Sequence, residues 1–300
     1  MNLLFTGASG FLGINTIPIL EKSFSIKTLG LTHEDDYCIN MAHEVPNLDI
    51  YFDIVLHAAG KAHTVPRTDI EKQSFFDVNL DGTINLCSAL ERSGIPKSFI
   101  FISSVAVYGL ESGENITEEY PLNGKSPYAL SKIRAEQFLT NWCREHNVIL
   151  SIIRPSLIAG PNPPGNLGSM IKGISSGSYF SISGGEAQKS VLMVEDIANL
   201  VPLLVQKGGI YNVCDSEQPK FRDLEKTIAY QLNKSLPITI PLFFAKFIAL
   251  IGDIIGNKSP INSEKLDKIT KSLTFSNAKA ILELGWNPLN VLVNFRIFEK

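Results

Sequence analysis

Through its first half the chain alternates short apolar runs with longer helical stretches. Asn2–Thr6, Ile26–Leu31, Ile54–His57, Phe99–Ser103 and Ile149–Arg154 are β-branched or aromatic and mostly continuous rather than alternating. That is the pattern of strands covered on both faces. Between them Leu12–Lys22, Phe75–Ser93 and Tyr128–His146 read as helices. The β-α-β order predicts an α/β fold around a doubly wound parallel sheet. The short stretch His33–Asp53 leaves room for a minimal strand, Tyr37–Met41, and an irregular crossover. The character changes after Gly160. G-P-N-P-P-G-N-L-G is loop, G-G-E-A-Q-K-S follows, a strand is expected at Gly209–Val213, and a helical region leads to L-G-W-N-P. The expected division is a dinucleotide-binding domain over 1–160, its sheet completed by about 191–215. Residues 161–190 and 216–300 then form a smaller, interleaved substrate lobe.

One apolar stretch stands apart, Leu236–Gly256. Pro237, Pro241, Lys246 and Asp253 interrupt it, and its unbroken part is too short to cross a bilayer. From Leu242 onward Lys246, Ala249 and Asp253 share one narrow stripe, and the rest is apolar. A helix buried on most sides is expected. The alternative is contact of 242–255 with a membrane surface or a partner subunit.

Composition narrows the function. The 300 residues are 44% hydrophobic and 19% charged, an ordinary globular balance, with a net charge of −3. No basic run or zinc-ligand spacing occurs, so neither nucleic acid nor a metal is expected. Cys38, Cys87, Cys143 and Cys214 are scattered, as in a reduced cytoplasmic protein. M-N-L-L-F-T-G lacks the basic start of a signal peptide.

Two motifs carry chemistry. G-A-S-G-F-L-G, with Gly7, Gly10 and Gly13, follows the first strand and opens a helix. A dinucleotide loop needs that context: a tight turn, close backbone approach to a pyrophosphate, and helix N-terminal amides aimed at it. In Y-A-L-S-K, Tyr128 and Lys132 lie about one helical turn apart and share a face. A lysine there can lower the phenol's pKa and make it an acid–base group. Tyr230 and Lys234 repeat the spacing, so spacing alone does not decide.

The order of further motifs does. G-A-S-G-F-L-G, H-A-A-G at 57–60, D-V-N-L-D-G-T at 77–83, S-S-V-A-V-Y-G at 103–109, Y-A-L-S-K, R-P-S-L-I-A-G-P, V-E-D-I-A, I-Y-N-V and L-G-W-N-P succeed one another over nearly the whole chain. In that order they resemble the extended short-chain dehydrogenase/reductase superfamily, in its sugar-nucleotide epimerase/dehydratase branch. The resemblance implies a Rossmann sheet, NAD as cofactor and a nucleotide sugar as substrate. It implies Ser104, Tyr128 and Lys132 as catalytic residues: the phenol carries the hydroxyl proton while hydride passes between a sugar carbon and the nicotinamide. Cofactor contacts are expected from Gly7, Ser9, Gly10, Phe11, Leu12, Gly13, Thr32, Asn40, Met41, Ala58, Ala59, Gly60, Ser103, Tyr128, Lys132, Pro155 and Ser156. Substrate contacts are expected from Asn79, Ser104, Val105, Tyr128, Asn166 and Lys189.

Departures from the branch's pattern sharpen the expectation. Leu157 stands where an asparagine often faces the substrate. Lys189 stands where an arginine often meets the diphosphate, and it lacks the bidentate fork. Val105 replaces the acid that dehydratases carry after the serine, which disfavours dehydration. Thr32 replaces the usual ribose-binding acid. No Arg or Lys lies between Leu29 and Gly60, whereas Glu34, Asp35 and Asp36 do. NADP would need cations for its phosphate, so NAD is expected; if 33–36 is a solvated turn pointing away, NADP stays open. The expected function is a 4-epimerase of a UDP-hexose or UDP-N-acetylhexosamine, with a 4-keto-sugar reductase as the rival. A non-catalytic NAD(P)-binding regulator is disfavoured by the complete Ser-Tyr-Lys set. A homodimer is expected through Phe75–Ser93 and Tyr128–His146, which carry Phe75, Phe76, Leu86, Leu90, Phe138, Leu139 and Trp142.

Overall fold

The computed structural model describes residues 1–255 and 262–298. In chain order the elements begin β1 (Asn2–Thr6), α1 (Phe11–Leu20), β2 (Ser25–Gly30), β3 (Tyr37–Cys38), β4 (Ile54–His57), α2 (Asp69–Phe76) and α3 (Gly82–Ser93). They continue with β5 (Ser98–Ile102), β6 (Gly113–Ile116), α4 (Pro127–Glu145), β7 (Ile149–Pro155), β8 (Leu157–Ala159), α5 (Gly165–Ser176), β9 (Phe180–Ile182), β10 (Val191–Met193), α6 (Val194–Leu204) and β11 (Gly209–Val213). The last are α7 (Phe221–Gln231), β12 (Ile238–Ile240), α8 (Leu242–Ile255), α9 (Ser263–Thr270), β13 (Leu273–Phe275), α10 (Ala278–Leu284) and α11 (Val291–Asn294).

Seven parallel strands form the main sheet in the order β11-β7-β5-β4-β1-β2-β3. The order reverses between β1 and β4, the switch point where such sheets open a ligand crevice at their carboxyl ends. The strands read as unbroken apolar runs because alternate residues enter two separate cores. Leu3, Phe5, Ile54, Leu56, Ile100 and Ile102 pack with α1 and α6 on one face. Leu4, Val55, Phe99 and Phe101 pack with α3 and α4 on the other.

Four expectations are corrected. The third strand is only Tyr37–Cys38. The helix expected at Phe75 begins at Asp69, behind a capping box in which Thr68 accepts from the Glu71 amide and the Glu71 carboxylate returns to Thr68. A π-helical turn, Asp77–Asp81, then separates α2 from α3. Phe75, Leu86, Leu90, Leu139 and Trp142 are buried within the chain, while Phe76 and Phe138 stay half-buried.

The fourth correction concerns α8. It is not buried on most sides. Ala245 (1% exposed), Ala249 (0%) and Gly252 are buried against the protein and Leu242 is half-buried, while Phe243 (76%) and Ile254 (87%) stand out from it. Burial is nearly the reverse of that expected: the apolar remainder is mostly exposed, and of the narrow stripe Ala249 is buried while Lys246 and Asp253 are exposed. No helix among the described residues is long and apolar enough to cross a membrane.

Candidate active site

The glycine loop is shaped by close approach. Gly7 has φ +81°, and a Cβ there would lie 2.8 Å from the Ala59 backbone. A Cβ on Gly13 would fall 2.1 Å from the Ala8 carbonyl oxygen, so only glycine lets α1 start this close to the loop. Gly10 caps α1 without a side-chain acceptor, which leaves first-turn amides for an anion. The loop forms one end of a cavity of about 610 Å³ that also takes in Ala58, Gly60, Ser104, Val105, Tyr128, Lys132, Pro155 and Ser156. Ser156 Oγ is buried without a hydrogen-bond partner among the described residues. A cradle that tolerates no Cβ, open helix amides and an orphaned hydroxyl together fit a dinucleotide.

The catalytic candidates meet on the cavity wall. Ser104 caps a short 3-10 turn, Val105–Tyr108, its Oγ accepting from the Ala106 amide at 3.1 Å. The same hydroxyl hydrogen-bonds the Tyr128 phenol. Ser126 caps α4 and Pro127 opens it, which places Tyr128 in the first turn. One turn on, Lys132 is 4% exposed; its ammonium donates to the Ile102 carbonyl at 2.9 Å and lies 4.6 Å from the centre of the Phe101 ring.

The electrostatics correct one expectation. Burial pushes the Tyr128 phenol up, and the Ser104 hydrogen bond opposes it. The Lys132 ammonium is turned towards the Ile102 carbonyl. Lys132 is itself pushed down to about 8, because desolvation outweighs the attraction of Glu136.

Two buried networks hold these groups. In the first, Thr83 donates to the Asn79 carbonyl at 2.7 Å, so it accepts from His57 Nε2–H at 2.9 Å; His57 Nδ1 then accepts from Thr6 at 2.7 Å. Burial lowers His57 to about 3, which keeps it neutral beside Lys132. The Asn79 amide donates to Ser131 Oγ at 2.8 Å, and Ser131 donates to the Tyr128 carbonyl at 2.8 Å. In the second, Glu136 accepts two bonds from Arg154, at 3.1 and 2.6 Å, and one from Ser103. Arg154 also donates to Tyr108 at 3.0 Å, and Tyr108 donates to Asn212 at 2.7 Å. Helix α4 is thereby tied to β4, β5, β7 and β11.

Other predicted contacts fall unevenly. Gly7, Gly10, Phe11, Leu12, Ala58, Gly60, Pro155, Ser156 and Val105 line the cavity, and Ser9 is exposed beside it. Gly13 packs beneath the loop. The Ala59 amide is spent on Thr6, and the Ser103 hydroxyl on Glu136, although Ser103 still borders the cavity. Asn79 does not line it: its side chain also accepts from the Lys61 amide at 2.7 Å and donates to the Lys61 carbonyl, so it positions rather than contacts. Met41 is buried in the core with its carbonyl held by Asn85, and Asn40 caps the Ala42 amide. Asn166 is exposed in the first turn of α5, outside the lining. Lys189 is not in the lining but is bridged through its backbone to Leu273, which is, and burial lowers it to about 8 against the pull of Glu111. Tyr230 is 88% exposed on α7, away from the cavity.

Sequence reasoning missed several residues. His63, held at φ +59°, and Leu110, Leu273 and Phe275 all line the cavity; they come from loops and a distant strand, with no spacing to announce them. Asp35 is the more instructive omission. It is 8% exposed, and its carboxylate folds back to accept from Thr32 N at 3.0 Å and Thr32 Oγ1 at 2.7 Å. The 33–36 stretch is therefore only partly a solvated turn.

Comparison with known proteins agrees with this geometry. The profile of the NAD dependent epimerase/dehydratase family matches residues 3–214. The N-acetyl-α-D-glucosaminyl-diphospho-ditrans,octacis-undecaprenol 4-epimerase of Escherichia coli O157:H7 is 29% identical, over 93% of this chain and 88% of that protein. The UDP-glucose 4-epimerase of Vibrio cholerae is 27% identical, over 97% and 92%. The GDP-6-deoxy-D-mannose reductase of Pseudomonas aeruginosa is 28% identical, over 76% and 79%. With a family match across more than half its length, a parallel dinucleotide-type sheet and a Ser-Tyr-Lys set on one cavity wall, this chain belongs to the NAD-dependent epimerase/dehydratase family of enzymes.

Proposed function

We propose that the protein is an NAD-dependent 4-epimerase of a nucleotide-linked hexose, a UDP-hexose or UDP-N-acetylhexosamine. The observation that carries this is the convergence of Ser104, Tyr128 and Lys132 on a cavity whose other end is the glycine loop. When bound, the dinucleotide supplies reversible hydride exchange with the sugar carbon. The Tyr128 Oη takes or returns the proton of the sugar hydroxyl. Ser104, hydrogen-bonded to that phenol, orients the reacting oxygen. Lys132 supplies a buried positive charge near the same wall and holds the ribose. Asp35, in the loop between β2 and β3 with its carboxylate beside Gly30 and Thr32, gives the adenosine end an acid, which supports NAD over a phosphorylated ribose. Leu157, Leu273 and Phe275 give the cavity apolar lining, and Lys189, bridged to Leu273, is the cation for a diphosphate.

Two epimerases among the relatives differ in carrier, UDP in one and an undecaprenyl diphosphate in the other, and share the diphosphate. Likeness to a reductase favours a second reading, a 4-keto-sugar reductase. Both readings use the same residues and differ in cofactor balance. The test is a panel of UDP-sugars incubated with purified protein without added cofactor. Repeated turnover to the C4 epimer is expected. One reduced sugar per added NAD(P)H would establish the reductase instead.

A further inference from the structure

An apolar helix lies largely uncovered, joined to the cavity's surroundings through α9. α8 spans 14 residues; among its described side chains Leu242, Ala245 and Ala249 pack near Ile182 and Leu266, with Gly252 buried beside them. Phe243, Phe244, Phe247, Ile248, Leu250, Ile251 and Ile254 are exposed. At about 100° per residue they cover roughly 160° of the helix, broader than the seam one partner helix would fill. The apolar surface continues past α8: Ile238, the register partner of Phe180, is exposed, as are Phe180 and Leu236.

Charge identifies the occupant. From Lys226 to Lys271 the sequence has seven lysines (226, 234, 246, 258, 265, 268, 271) against three acids (Asp253, Glu264, Asp267), a net of +4 in a chain of −3, although Lys226 and Lys268 pair with Asp223 and Glu111 outside that stretch. Asp253 is spent on α9, accepting from Ser263 N at 3.0 Å and from Ser263 Oγ. Lys246 lies at the margin between the exposed arc and the buried stripe, the place from which a lysine reaches headgroups. At 1.5 Å per residue the helix is about 21 Å long, short of the roughly 30 Å hydrocarbon layer, so it can lie in the interface but not cross it. An apolar arc with aromatics, edged by lysine in a cationic lobe, matches an anionic bilayer surface.

We infer that α8 docks the protein on an anionic membrane surface, lying in the plane of the interface with its phenylalanine face in the lipid. Docking brings the substrate end of the cavity to that surface. α8 packs on α9, Lys268 of α9 pairs with Glu111 at 3.5 Å, and both Leu110 and Leu273 line the cavity. Granted the epimerase reading, on which this consequence rests, the site then also reaches a glycosyl diphosphate whose carrier is a membrane lipid.

The test is sedimentation with vesicles, needing neither substrate nor cofactor. The full chain is mixed with phosphatidylcholine vesicles with or without about one-third phosphatidylglycerol, beside the variant Phe243→Ser/Phe247→Ser/Ile254→Ser. All three positions are exposed, and matched thermal melts verify the fold. Most of the unaltered chain should pellet with anionic vesicles and be released by raised salt. The variant should bind about tenfold less while keeping its UDP-sugar turnover. Equal pelleting of both proteins, or none of either, overturns the proposal. So does a dimer that the variant alone loses without any vesicle binding, since the face then belongs to a second copy. If vesicles bind but no sugar diphosphate is turned over, the epimerase reading fails and the docking stands.

Discussion

Glu136→Gln removes a charge that does two things at once. Glu136 holds Arg154 through bonds at 3.1 and 2.6 Å, with the two side chains 4% and 3% exposed. Its charge also raises Lys132 against burial. Breaking a buried pair by removing one partner costs about 3–5 kcal/mol, because the other charge stays desolvated. Glutamine keeps the shape and one acceptor, so the lower figure applies. At roughly 2–4 °C per kcal/mol the melting temperature should drop by about 6–12 °C. Without Glu136 the desolvation of Lys132 is unopposed, so its pKa falls below about 8. Activity that needs the ammonium is lost as pH rises through that pKa, so the alkaline limb of kcat/KM should move to lower pH in the variant. The folding linkage of Lys132 has a definite sign too. Its folded pKa lies below the unfolded 10.5, so the unfolded chain binds more protons between about 8 and 10.5, and this group's contribution to stability rises with pH there. Differential scanning fluorimetry and a pH–rate profile read both effects. An unchanged melt would refute the buried-pair argument, and an unmoved alkaline limb would remove Lys132 from the titration.

Three further outcomes are expected. Lys189→Ala should raise KM for the UDP-sugar several-fold with kcat little changed, as lost uniform binding does; an unchanged KM removes Lys189 from the site. Calorimetric titration of cofactor-free protein should show NAD(H) binding more tightly than NADP(H), and Asp35→Asn should narrow the gap; tighter NADP(H) binding overturns the cofactor assignment. Light scattering at micromolar concentration should show a homodimer, because Ile70 is 83% exposed on α2 and Phe138 stays half-buried on α4; a monomer refutes this.

The sheet was readable because burial on both faces leaves a plain mark. Every residue of Ser98–Ile102 is buried, alternately into two cores, so the run shows no polar break. The glycine loop was readable for a similar reason: Gly7 and Gly13 stand where a Cβ would strike backbone. What depends on distant neighbours was not readable. Apolarity in Leu242–Ile255 signals burial only if something covers it, and the chain itself covers little more than Ala245, Ala249 and Gly252. The phenol of Tyr128 moves up rather than down because burial and the direction of the Lys132 ammonium decide the sign, and neither is written in the spacing. Asp35 reaches Thr32 by a local turn that a count of residues from the glycine loop does not show. The start of α2 is a different case, since T-D-I-E at 68–71 is a capping box visible in the sequence and read past.

The central claim is that Tyr128 carries the proton for sugar interconversion. It is tested most directly by following UDP-glucose and UDP-N-acetylglucosamine by proton NMR with the unaltered protein, Tyr128→Phe and Tyr230→Phe, at equal cofactor content. The unaltered protein and Tyr230→Phe should form the C4 epimer at similar rates, while Tyr128→Phe falls by about 10²–10⁴-fold with its fold and bound cofactor retained. Epimer formation by Tyr128→Phe at the unaltered rate would contradict the account.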